Sequence, residues 1–68
     1  MCESTVFLEV NGTMSEAMKD VTRIVMRGSQ AICTNIVGEQ IVLDNVVLKE
    51  ANLLSHGIVF KKAEQAGQ

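Results

Sequence analysis

A cysteine stands directly behind the first methionine, giving the opening Met1-Cys2. A thiolate in that place can join with main-chain nitrogen to chelate a metal. With Met1 retained, its amine, the Cys2 amide nitrogen and the Cys2 sulfur close two fused five-membered rings about one ion. With Met1 removed, the amine and thiol of Cys2 close one such ring. Strong-field nitrogen with soft sulfur suits a square-planar ion such as Ni(II) or Cu(II), and not Mg(II) or Ca(II). A second reading stands beside this one. Cys2 shares the parity of Val6, Leu8 and Val10, so it also fits a small apolar residue at the rim of a core. Spacing alone leaves both open.

The other candidates read more simply. Cys33 lies mid-strand between Ile32 and Thr34, where a free cysteine behaves as a small buried hydrophobe. His56, the single histidine, falls in Ser55-His56-Gly57 and reads as a solvated turn residue tolerating positive φ; a ligand role would need Cys2 nearby in space. Met14, Met18 and Met26 match no soft-metal spacing and read as core filling. The acidic residues form no close pair suited to acid–base catalysis. No glycine-rich phosphate loop is present, and no nucleophile stands beside a base. The sequence therefore predicts no enzyme activity.

These residues must be positioned by a very small domain. A chain of 68 residues buries only about 60% of the surface its unfolded form exposes, so its stability is marginal. Two cysteines are too few for a disulfide scaffold, and no leader pattern points to an oxidising compartment. Reduced thiols and a cytoplasmic location are expected. The apolar content is 47%, yet Phe7 and Phe60 are the only aromatic residues, so Val, Ile, Leu and Met must build the core. Self-association into a homodimer is the expected stabiliser. The net charge is −2, and the basic residues are scattered apart from Lys61-Lys62. With neither a basic stripe nor stacking aromatics, nucleic-acid binding has little support. No apolar run approaches the ~20 residues of a membrane helix.

Short β-rich runs between turn signals predict an all-β domain. Ser4 to Val10 alternates and leads into Asn11-Gly12, a hairpin signal because both residues tolerate positive φ. Thr13 to Met18 is the expected partner strand. Thr13 with Glu16 also fits a capping box, and one helical turn is expected near Lys19-Asp20. Strands follow at Val21 to Arg27, Gln30 to Val37, Gln40 to Leu43, Val47 to Leu54 and Ile58 to Lys61. Turns are expected at Gly28-Ser29, Gly38-Glu39 and His56-Gly57, with a break at Asp44-Asn45. Five to six short strands close most easily into a small barrel over residues 1–62, leaving 63–68 as a frayed tail. If an edge stays open, pairing with a second copy is the simplest remedy. The expected core is Val6, Leu8, Val10, Ile24, Ile32, Ile36, Ile41, Leu43, Leu53, Ile58 and Phe60.

The opening Met1-Cys2-Glu3-Ser4-Thr5-Val6-Phe7-Leu8 resembles the CooT family of small nickel-binding proteins. These begin with Met-Cys, then a polar residue or two, then an apolar strand. Asp20-Val21-Thr22-Arg23-Ile24 is similar to the family's Asp-Val-x-x-Ile/Val segment. Ile36-Val37-Gly38-Glu39-Gln40 falls at its central turn, and Ala51-Asn52-Leu53 with Ile58-Val59-Phe60 resembles its closing hairpin. The likeness runs over residues 1 to 61. It implies a small SH3-like β-barrel that forms a homodimer. It also implies Ni(II) delivery during maturation of carbon monoxide dehydrogenase, with Cys2 as the metal ligand; the main-chain nitrogen of Met1 is expected beside it from the chelate geometry above. Only Cys2 carries over as a motif position; Cys33, Asn35 and His56 match no ligand pattern. Family members have been labelled RNA-binding, which the acidic balance and scarce aromatics here do not support. The competing reading is a non-catalytic small-barrel module for a protein or RNA partner, with Cys2 incidental.

Overall fold

The structure, a computed structural model, describes residues 3–63. Met1 and Cys2 lie outside the described residues, as does the expected tail from residue 64 onward. Six strands follow in chain order: β1 (Ser4–Val10), β2 (Thr13–Arg27), β3 (Gln30–Asn35), β4 (Gln40–Leu43), β5 (Val46–Asn52) and β6 (Gly57–Lys62). They form one sheet in the order β4-β3-β2-β1-β6-β5. All neighbours are antiparallel except β1 and β6, which run parallel.

The all-β expectation is met, and the first hairpin forms as expected. Asn11 and Gly12 take φ of 52° and 80°, the twist a two-residue turn needs to return β1 into β2. The helical turn near Lys19-Asp20 is absent, and the Thr13–Glu16 capping box does not form. One continuous strand of 15 residues runs through both. Its first half pairs with β1, so the backbone groups that a helix would have satisfied are satisfied by the ladder. The bend that a helical turn would have supplied comes from irregularities instead. The register with β1 shifts on both sides of Val6, and that with β3 shifts between Val21 and Arg23. Asp20, between them, sits at φ 57°. Such bulges kink a strand and raise its twist. They let one strand serve β1 with its first half and β3 with its second.

Closure into a barrel does not occur. The sheet begins at β4 and ends at β5, and these two are not paired. The Val46 N–H at the start of β5 instead donates to the Ser29 carbonyl, in the turn between β2 and β3, at 2.9 Å. The break at Asp44-Asn45 explains the open ring. Asn45 takes φ 57°, turning the chain directly from β4 to the far edge strand. At the C-terminal end the Ala63 N–H donates to the Asn45 carbonyl at 2.8 Å.

The buried core is Val6, Val21, Ala31, Cys33, Val46 and Phe60. Leu8, Ile24, Ile41, Leu43 and Ile58 pack against it as expected, joined by Ala17 and Met18. Four expected core residues are not there. Val10 is at the hairpin tip, and Ile36 and Leu53 lie in turns beyond shortened strands; all three are exposed. Ile32 faces the opposite side of the sheet. Side chains alternate along a strand, and in β3 the inward parity belongs to Ala31 and Cys33. Ile32 instead lines a shallow cleft with Arg23, Val25, Arg27, Thr34 and Gln40. No helix among the described residues is long and apolar enough to cross a membrane.

Candidate metal-binding terminus

Strand β1 carries the chain terminus, and the sheet holds it on both sides. Ser4 pairs with Val21 of β2, and Thr5 lies opposite Gly57 of β6. The Thr5 N–H donates to the His56 carbonyl at 2.9 Å. Ser4, two residues from Cys2 in sequence, is thereby held in the middle of the sheet. Met1 and Cys2 themselves are outside the described residues, so their chelate has no geometry here.

His56 comes to the start of β1, a proximity the sequence could not show. Its expected place in a turn tolerating positive φ holds, at φ 59°. The side chain is half-buried rather than fully solvated, and the residue's contact with β1 is through its carbonyl. Next to it, a carbon added at Gly57 would lie 3.8 Å from the Phe7 ring, an ordinary contact. Neither lack of space nor a positive φ requires glycine at this position.

Cys33 is not part of the site. It is fully buried in the core on β3, as its mid-strand position predicts. Burial pushes its thiol above the ordinary value of 9.0, because the thiolate is desolvated there. The neutral thiol is thus the form that folds. A group whose folded pKa is raised stabilises the fold fully below the unfolded pKa and loses that contribution as pH rises through the folded value. Stability should accordingly fall above about pH 9, and denaturant melts at pH 7 and 10 will read it. A thiol reagent should react with Cys33 only in denaturant. Fast native reaction would show that the core opens locally.

The methionines are corrected in part. Met18 fills the core rim, but Met14 and Met26 are exposed. Among the described residues no three His, Cys, Asp or Glu side chains gather in a way that could hold a metal. The turn between β5 and β6, expected around His56-Gly57, begins earlier, directly after Asn52, and ends at His56. Asn52 ends β5, and its side-chain oxygen accepts from the Leu54 and Ser55 N–H groups at 3.1 and 3.0 Å. The signal for it was present: an Asn directly before two apolar residues, a sequence that recurs at Asn35-Ile36-Val37. There Asn35 accepts from the Val37 N–H at 3.1 Å in the same way.

The architecture matches that of a solved protein. The crystal structure assigned to CooT from Carboxydothermus hydrogenoformans superposes with a TM-score of 0.81. The match covers 93% of this chain and 100% of that one at 19% identity, which shows a shared fold. No curated protein sequence matches this chain. The family described as the CO dehydrogenase accessory protein CooT matches residues 1–61, beginning at the Met-Cys pair and ending inside β6, and the chain belongs to that family.

Proposed function

We propose that this chain carries Ni(II) on its N-terminus and hands it over during maturation of carbon monoxide dehydrogenase. The observation that carries the proposal is the family match from residue 1, which takes in a terminus able to chelate. An accessory role is that of a carrier and not a catalyst. Cys2 supplies the thiolate, and main-chain nitrogen of Met1 and Cys2 completes the chelate. The reduced thiol fits a cytoplasmic setting.

A carrier must bind its ion and also release it. A chelate made of adjacent terminal residues would serve both, because it needs no preformed pocket. The protein acts as a homodimer. Each edge strand, β4 and β5, has one side without a strand partner among the described residues, and Val42, Val47 and Leu48 on them are exposed. Such edges invite pairing with another copy. With a two-fold axis near the termini, two Cys2 thiolates and two main-chain nitrogens would form one planar four-coordinate site per dimer. Acceptor ligands could then attack from above the plane. Zn(II), which prefers a tetrahedral set, would be disfavoured.

Titration with Ni(II) tests the proposal. Thiolate-to-nickel charge-transfer bands should grow and stop at one ion per two chains. An end point at one ion per chain would remove the shared site and keep the chelate; absence of the bands would sink the nickel reading. The pH dependence has a definite sign. The amine titrates near about 8 and the thiol near about 8.5 in reference peptides, and both must lose protons to bind. Affinity should therefore drop as pH falls from 8 to 6, and the bands should fade with it.

A further inference from the structure

We propose that the outer face of β2, β3 and β4 docks an extended acidic segment of another protein, one with a carboxylate on each side of an apolar residue. The register lays three rows across these strands. Val25 lies opposite Ile32, and Ile32 opposite Val42, which makes an apolar row. Arg23 opposite Thr34, and Thr34 opposite Gln40, makes the row on one side of it. Arg27 opposite Gln30 begins the row on the other side. The alternate residues, Ile24, Cys33 and Ile41, belong to the core, so these rows face away from it. Val25 and Ile32 are half-buried, and Val42 is 50% exposed. Side-chain hydrogen bonds fix the rim at both ends. Gln40 donates to the Thr34 hydroxyl at 3.2 Å, and Gln30 donates to the Asp44 carboxylate at 2.7 Å.

Charge and size choose the occupant. In a chain of net charge −2, Arg23 and Arg27 border one cleft. The one ion pair among the described residues lies elsewhere, between Lys49 and Glu9. Solvated arginines are ordinary on a surface. These two differ in sharing an apolar floor with no carboxylate between them. The acid on the same face, Asp44, lies beyond β4 and already accepts from Gln30. A guanidinium takes a carboxylate through two parallel N–H donors, so acidic groups are what the pair would bind. The cleft is about 230 Å³, below the roughly 300–1,000 Å³ of a site that buries a whole small molecule. It has room for side chains instead. Arg23 and Arg27 are four residues apart on one strand, about 13 Å. An extended segment laid along β2 repeats at the same distance. Acids at its first and fifth positions then meet the two arginines, and its third side chain rests on Val25 and Ile32. The acidic side chains of this chain fit that pattern once, at Glu16 and Asp20 about Met18. Met18 packs against the core and this run is paired with β1, so a second copy has no open run of this kind to offer. The partner is therefore a different protein.

Fluorescence anisotropy of a labelled Glu-Ser-Leu-Ser-Glu peptide, titrated with the metal-free chain, tests the assignment without involving nickel. The peptide should bind. Arg27→Glu should weaken binding by roughly tenfold or more, since it exchanges an attractive charge pair for a repulsive one, and Arg23→Glu should act alike. Replacing one end glutamate of the peptide by lysine should restore binding to either variant. Lys19→Glu makes the same charge change at another exposed position of β2 and should alter binding by less than about twofold. Absence of peptide binding overturns the assignment. So does equal binding of the reordered peptide Ser-Leu-Glu-Glu-Ser, an equal loss with Lys19→Glu, or failure of the lysine peptide to rescue. Three results would name another occupant and also overturn it. Tighter binding of a single-stranded RNA, lost with Arg27→Glu, would assign the face to nucleic acid. Conversion of a sedimenting dimer to monomer by Arg27→Glu would assign it to a second copy. Tighter peptide binding by a chain ending at Ala63 would assign it to residues 64–68.

Discussion

Cys2→Ser should abolish the thiolate-to-nickel charge-transfer bands and leave the circular dichroism spectrum and melting temperature unchanged. The serine hydroxyl keeps its proton at any pH the protein survives, so the chelate loses its soft anionic donor while the nitrogens remain. The effect on the fold is small because β1 begins at Ser4, and its pairing to Val21 and Gly57 starts beyond the substituted residue. Two companions sharpen the result. Cys33→Ser places a hydroxyl in a fully buried site and should lower stability by about 1–3 kcal/mol, yet nickel binding by the folded protein should persist. His56→Ala keeps a residue with a Cβ at φ near 59°, a strain that histidine already bears, so it should change stability by less than about 1 kcal/mol, again with the bands retained. Undiminished binding by Cys2→Ser would sink the terminal chelate, and a partner-binding role with incidental cysteine would replace it.

The sequence carried local rules faithfully and lost what depends on distant pairing. Asn11-Gly12, Gly38 and Asn45 are turn residues because φ is positive at each, and composition shows that directly. Strand β1 and the inward set Val6, Leu8, Ile24, Ile58 and Phe60 followed from alternation. The helical turn at Lys19-Asp20 did not, since a capping pattern is local and the β1 ladder that overrides it is not. Ile36 and Leu53 were misplaced for a related reason. Each continues the apolar run of its strand, but an Asn at the strand's end captures backbone N–H groups and ends the ladder. Ile32 was misplaced because an apolar residue on either parity of β3 looks the same in sequence. The parallel pairing of β1 with β6 is what brings His56 to the terminus, and no local signal encodes a pairing between chain ends. The proposed metal ligand was named without any such pairing, because a terminal chelate would need only adjacent residues.

Phe60→Ala should leave most of the protein unfolded at 25 °C. Phe60 is the largest fully buried side chain, on β6 between Leu8 of β1 and Leu48 of β5. Removing such a ring costs about 3–5 kcal/mol, counting lost transfer energy and the cavity left behind. A domain this small has a net stability of only a few kcal/mol, so that loss is comparable to the whole. Phe7, half-buried on the other parity of β1, should be far more tolerant of the same change. The variant also separates two parts of the metal site. Met1-Cys2 remains on the unfolded chain, and the local chelate needs no fold. The shared site does, because only a folded dimer can bring two termini together. Phe60→Ala should therefore still bind Ni(II), but with the end point moved from one ion per two chains to one ion per chain, and with lower affinity. Calorimetry at matched chain concentration reads both. An unfolded variant that still bound one ion between two chains would mean that the termini pair without the sheet, and the fold would then have no part in building the site.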